Sequence, residues 1–242
     1  MNAAAERLHG DGATHVGTVR KRNEDAFLCR DDLGLWAVAD GAGGHGAGDV
    51  ASAETIAALA AIPAGLTAAE LLAQVRLRLQ AVHRDLRRRA AAGQGGDGLI
   101  AATVVVLLSR GGHVACLWAG DSRAYRLRRG ELTRLTRDHS LVQELVDSGA
   151  LAPEAMERHP QANVVTRALG AGEELELDKV LGVTEPGDLY LLCSDGLTKA
   201  LDDGEILAAL AAATGAEDLL ARALQAGARD NVTAVLVRGA GA

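Results

Sequence analysis

The sequence predicts a mixed α+β fold, organised as one domain over residues 1–242, and three observations carry that prediction. Apolar runs of strand length recur along the chain, among them LWAVA at Leu35 to Ala39, VVVLL at Val104 to Leu108 and LYLLC at Leu189 to Cys193. Between them lie segments with helix start and stop signals, such as the capping box Thr67 to Glu70 and the stop at Pro63. With 242 residues and 48% hydrophobic content, the chain can bury a substantial core, and layered folds of this size are often one domain.

Taken in order, strands are expected near 25 to 30 and 34 to 39, followed by a helix from Asp49 to Ile62. A longer helix opens at Thr67, and the glycine-rich loop around 91 to 98 follows it. Four short strands near 102 to 109, 113 to 118, 123 to 127 and 131 to 135, separated by turns such as Arg110-Gly111-Gly112 and Arg129-Gly130, read as a meander. Ser140 to Ser148 reads as a helix ended by Gly149, and residues 149 to 166 are irregular. Strands near 188 to 193 and 232 to 237 frame two alanine-rich helices at 203 to 213 and 216 to 226. Aromatic residues make up only 2% of the chain, so Ala, Leu and Val must specify the core by close packing.

A net charge of −7 argues against nucleic acid as a partner, because a phosphate-backbone binder needs a cationic stripe. The one dense basic run, Arg84 to Arg89, lies on a predicted helix and reads as a solvated face. Cys29, Cys116 and Cys193 are isolated, with no CxxC, which suits a reduced cytoplasmic setting better than a disulfide framework. Neither a signal peptide nor a membrane-spanning run is expected, and the protein reads as soluble.

The acids carry the chemistry. Asp40-Gly41 and Asp195-Gly196, 155 residues apart, each follow an apolar run, so each is expected to end a strand and deliver a carboxylate to the rim of a sheet. The other Asp-Gly pairs, at Asp11, Asp97 and Asp203, end no apolar run and read as turns or loops. Glu24 and Asp25 open a strand, Asp121 separates two strands, and Asp230 precedes the last one. Singly, each would be a turn or cap residue. Together they supply oxygen donors for a hard cation, Mg, Mn or Ca, whereas Zn or Cu would show His or Cys at short spacing, and the seven histidines show none.

The segments RKRNEDA at Arg20 to Ala26, VADGAGGHGAGDVAS at Val38 to Ser52, GDSRAYRL at Gly120 to Leu127, LTRDHS at Leu135 to Ser140, LLCSDGL at Leu191 to Leu197 and DNVT at Asp230 to Thr233 occur in an informative order. In kind and order they resemble the metal-dependent type 2C protein phosphatases, the PPM family, over residues 14 to 237, with the bacterial branch fitting best. The resemblance implies two packed antiparallel β-sheets flanked by helices on both outer faces. It implies hydrolysis of phosphoserine and phosphothreonine in proteins, opposing a Ser/Thr kinase, by a monomeric enzyme with two Mn or Mg ions and a weaker third. Asp40 then bridges two ions, Asp195 and Asp230 complete one, and the Gly41 carbonyl helps hold the other. Asp121 with Asp195 holds the third, while Glu24 and Asp25 ligate either directly or through water. Close cations lower the pKa of a shared water and neutralise phosphoryl charge, so no protein nucleophile is needed.

The resemblance also implies that Arg20 grips the substrate phosphate, with Arg22 as its competitor; His45, in the glycine-rich segment after Asp40, is expected to protonate the leaving alkoxide because imidazole carries a proton near neutral pH, the alternative being an exposed loop histidine. The stretch 149 to 166 resembles the family's variable flap. A cysteine-dependent phosphatase needs Arg six positions after Cys; Leu35, Ser122 and Lys199 stand there instead. No P-loop is present. Two departures stand out: Ala42 where relatives usually read DGMGG, and Ile100 to Thr103 where they read MGTT; neither removes a metal ligand. A PPM-fold sensing module with weak turnover is the alternative, and the full set of acids favours the enzyme. A structural Ca binder would show repeated Asp-rich loops, which are absent. The wording of LWAVADG, DHSLVQELV and LLCSDGL is similar to phosphatases associated with type VI secretion in proteobacteria.

Overall fold

In the computed structural model, which describes residues 7–43, 47–94 and 99–239, the apolar runs are strands with two buried faces. In β3 (Leu35–Gly43), Leu35 and Ala37 point to a helical layer while Trp36 and Val38 point to a second sheet. The same alternation divides Val104, Val106 and Leu108 from Val105 and Leu107 in β5 (Val104–Arg110). It also divides Leu191 and Cys193 from Tyr190 and Leu192 in β10 (Leu189–Cys193). A strand covered on both sides needs no polar face, which is why these antiparallel strands read as continuous apolar runs.

One antiparallel sheet has the order β1 (Leu8–His15), β11 (Val232–Gly239), β10, β7 (Arg123–Arg128), β8 (Glu131–Arg134). The other has the order β2 (Asp25–Arg30), β3, β5, β6 (His113–Ala119), β9 (Asp178–Val183), with β4 (Ile100–Ala102) paired to the end of β3. Helices α1 (Ala47–Ala60) and α2 (Ala68–Ala91) cover the second sheet through Ala51, Leu59, Leu71, Val75 and Leu79. Helices α4 (Asp195–Ala200), α5 (Asp203–Ala212) and α6 (Ala216–Gln225) cover the first through Leu197, Ile206, Leu219 and Ala223. This is the expected α-β-β-α sandwich. The predicted capping box is present, with Thr67 and Glu70 satisfying each other's backbone amides at the start of α2, and the helix expected from Ser140 is α3 (Leu141–Asp147), capped by Ser140. Among the described residues no helix is long and apolar enough to cross a membrane.

Several expectations are corrected. The four middle strands are not one meander: β5 and β6 form a hairpin in one sheet, β7 and β8 a hairpin in the other, and the chain crosses between layers at Gly120 to Ser122. Asp40-Gly41 does not end its strand, because β3 runs on to Gly43 and pairs with β4. Asp11-Gly12 lies inside β1, and Asp203-Gly204 opens α5 behind the N-cap Asp202; Asp97 lies outside the described residues. Strand β1 has no apolar signature, since the rings of Phe27 and Trp36 lie where side chains at Gly12 and Gly10 would be. Strand β9 is an exposed edge and α4 a six-residue helix; neither has a periodic pattern long enough to stand out.

Candidate active site

The two sheets meet in a cluster of acids at one end. The register of β2 and β3 puts Asp25 directly opposite Asp40, and like charges facing each other across adjacent strands repel. From the other sheet come Asp195, the first residue of α4 just past β10, and Asp230, two residues before β11. Asp121 sits in the crossover between β6 and β7. Burial first, then the charges of Asp25, Asp195, Asp121 and Asp230, push the Asp40 carboxyl well above the usual carboxylate range. Asp121 is raised likewise by burial and by Asp195 and Asp138. Asp25 is raised by burial although two hydroxyls oppose the shift. Glu24 is raised by burial and then by Asp49, an acid in the first turn of α1.

A hydroxyl relay fixes Asp25 from the opposite sheet. Its Oδ2 accepts from Ser194 Oγ and Thr233 Oγ1, both at 2.7 Å. Thr14 Oγ1 lies 2.7 Å from Thr233 Oγ1 and accepts from Asn23 Nδ2 at 2.8 Å. Asn231 ties the N-terminal acid segment down: its Nδ2 donates to the carbonyls of Val16 and Arg22, and its Oδ1 accepts from Glu24 N at 2.8 Å. The LTRDHS segment holds the Asp121 loop. Buried Asp138 takes Arg123 through both Nε and Nη2, and Arg134 adds a further bond. His139 stacks on Trp118 and accepts from Gly120 N at 3.1 Å.

Close backbone approach, rather than a turn, explains the glycine of each Asp-Gly pair. A Cβ on Gly41 would meet the Gly48 carbonyl oxygen at 1.9 Å, and one on Gly196 would meet that of Asn231 at 1.9 Å. Gly41→Ala is therefore expected to push the start of α1 away and lower stability by about 1–3 kcal/mol, the usual cost of overpacking. Urea unfolding of the chelator-treated protein measures this; an unchanged midpoint would show that α1 yields freely.

Among the described residues, two cations pair with Asp195 and Asp230. Lys199, one turn along α4, pairs with Asp195 Oδ2. Arg20 makes a two-pronged bond to Asp230, Nε to Oδ1 at 2.8 Å and Nη2 to Oδ2 at 2.9 Å. That bond holds the Asp230 carboxyl below its ordinary value despite burial. Arg20 thus stands at the acids, engaged by Asp230, while Arg22 is exposed. His45 lies outside the described residues. From the stretch 149 to 166, Met156, Glu157, His159 and Asn163 wall a cavity of about 410 Å³ with Asp121, Asp195 and Lys199.

The residues present fit hard divalent cations. The donors are oxygens, Asp25 Oδ1 and Asp49 Oδ1 are buried with no hydrogen-bond partner, and Asp40 is raised by burial and by four neighbouring carboxylates, a repulsion that a divalent cation would relieve. Among the described residues no three His, Cys, Asp or Glu side chains are already drawn into a closed chelate, since Asp195 and Asp230 are turned to Lys199 and Arg20. Sequence reasoning missed Asp49, Lys199 and Asn231. Position offered a signal for the first two: an acid in the first turn after a glycine-rich segment, and a lysine four residues after Asp195.

The fold and this acid cluster define a metal-dependent phosphatase scaffold, and comparison with known proteins agrees. The model of the family described as Protein phosphatase 2C matches residues 11–238, and the chain belongs to that family. It is 40% identical over 223 residues to the serine/threonine protein phosphatase PstP of Mycobacterium tuberculosis, covering 91% of this chain and 43% of that protein. The chain therefore spans less than half the length of that relative. A solved structure of PppA, described as a key regulatory component of T6SS in Pseudomonas aeruginosa, is 42% identical with a TM-score of 0.89, covering 98% of this chain and 99% of that one. The catalytic domain of PstP in complex with 2 manganese ions is 39% identical with a TM-score of 0.76, covering 96% and 98%.

Proposed function

We propose that the chain hydrolyses phosphoserine and phosphothreonine in proteins, using two Mn2+ or Mg2+ ions held by Asp40, the Gly41 carbonyl, Asp195 and Asp230, with Glu24 and Asp25 beside them. The observation that carries this reading is Asp25 opposite Asp40 in adjacent strands, with Asp195 and Asp230 from the other sheet and Asp121 from the crossover adding repulsion. Family membership and the manganese-bound relative support it. Bound between these carboxylates, the cations would supply an activated water and neutralise charge gathering at phosphorus.

The chain's own residues do the rest. Asp25, fixed by two hydroxyls on one oxygen, keeps the other buried without a hydrogen-bond partner. Arg20, still half-exposed, offers the fork geometry that phosphate prefers once a substrate draws it from Asp230. His45 is proposed as the proton donor to the serine or threonine oxygen. No cysteine can serve as nucleophile, because burial pushes the thiols of Cys116 and Cys193, and of Cys29, up to about 12. The likeness to PppA supports a substrate in the control of type VI secretion, a cytoplasmic phosphoprotein or its kinase.

The test is phosphate release from a phosphothreonine peptide. Activity is expected to vanish after exhaustive chelation, return with Mn2+ or Mg2+, and survive thiol alkylation. Mn2+ should also raise the melting temperature of the chelated protein, since an ion that binds only the native state stabilises it. Full activity without metal would overturn the reading.

A further inference from the structure

Lys199 is unusual among the residues around the acids in bringing a positive charge from the same short helix as a proposed ligand. It lies four residues after Asp195 on α4, and its Nζ pairs with Asp195 Oδ2. It lines the same cavity as Asp121 and Asp195. The other cation on that wall, Arg123, is committed to Asp138 through three bonds and is not free to serve Asp121.

On the basis of the two-ion phosphatase site, we infer that the Lys199 ammonium takes the position at Asp121 and Asp195 where a third divalent ion would sit, so that this chain is complete with two ions. A third ion there would have to strip the ammonium from Asp195 and then lie beside a positive charge in a partly enclosed site, where repulsion is weakly screened. Lys199 is in this sense a positioning residue: it holds the Asp195 carboxylate and supplies the local positive charge.

The experiment counts Mn2+ per chain by calorimetry and by electron paramagnetic resonance of the free ion, up to millimolar metal. Wild type is expected to take up two ions. Lys199→Met should take up three, the third lost again in Lys199→Met combined with Asp121→Asn, while Lys199→Arg should return the count to two. A merely structural lysine would not move the stoichiometry, and Lys199→Gln provides a second neutral variant if Lys199→Met misfolds. A third site in wild type that Asp121→Asn removes, or a count of two in both neutral variants, would overturn the inference while leaving the phosphatase reading intact. Fewer than two ions in wild type would overturn both.

Discussion

Asp40→Asn is expected to abolish hydrolysis of a phosphothreonine peptide while making the chelated protein harder to melt. The activity loss follows from the proposed role: a ligand shared by two ions loses its charge, and a fall of at least about 10³-fold corresponds to about 4 kcal/mol of barrier. The stability gain follows from the electrostatics. Asp40 faces Asp25 and feels Asp195, Asp121 and Asp230, so its carboxyl is held above the unfolded value of 3.8. A group raised in the folded state costs stability once pH exceeds its unfolded value, as the unfolded chain ionises first. Asparagine has no such cost, and the gap between variant and wild type should widen from pH 4 toward neutral. Calorimetry with chelator present should show a rise of several degrees in Tm at neutral pH. Activity within tenfold of wild type would remove Asp40 from the ligand set, and a lower Tm would show that its charge is satisfied by another route.

Asp188→Ala should be the most damaging substitution far from the acids, lowering stability by about 3–5 kcal/mol, the range for breaking a buried ion pair. Its side chain is fully enclosed, and it accepts from Arg128 Nε at 2.7 Å and Nη2 at 2.6 Å, from Glu185 N at 2.8 Å and from Tyr190 OH at 3.2 Å. Alanine would leave Arg128 with Glu185 as its remaining carboxylate and Tyr190 without its acceptor. Burial pushes the Asp188 carboxyl up, but Arg128 and the Glu185 amide overcome it and hold it below 3.8. The stabilisation is thus present above the unfolded value and is lost as pH falls through the folded one, so the gap from wild type should shrink below about pH 4. Chemical denaturation at pH 7 and pH 3 checks both; an equal gap at the two values would mean that packing, not charge, is what Asp188 supplies.

Much of the fold was legible because the central strands are buried on both faces and the helices carry caps. Apolar runs such as Leu35 to Ala39 and Leu189 to Cys193 have no other use, and Thr67 with Glu70 announces α2 from chemistry within four residues. What escaped was held by distant partners. Strand β1 is nearly devoid of apolar residues because the rings of Phe27 and Trp36 cover its glycines. The supposed meander divides between sheets because hydrogen bonding within each hairpin is local, whereas the layer to which each hairpin adds is decided by β3, about 70 residues earlier, and by β10, about 60 residues later.

The same division runs through the site. The sequence alone placed oxygen-donor acids in and beside strands, lacked the Cys-to-Arg spacing of a cysteine-dependent phosphatase, and by family pattern grouped Asp40, Asp195 and Asp230 as expected ligands. Only the tertiary structure decided that Asp25 faces Asp40 across one pair of strands, that Ser194 and Thr233 fix Asp25 from the opposite sheet, and that Arg20 and Lys199 each hold an acid. The reason is physical: a carboxylate's chemistry is intrinsic to the residue, but its charge state and its partner depend on which other charges burial brings within a few ångströms. Those charges lie up to 210 residues away along the chain, as between Arg20 and Asp230.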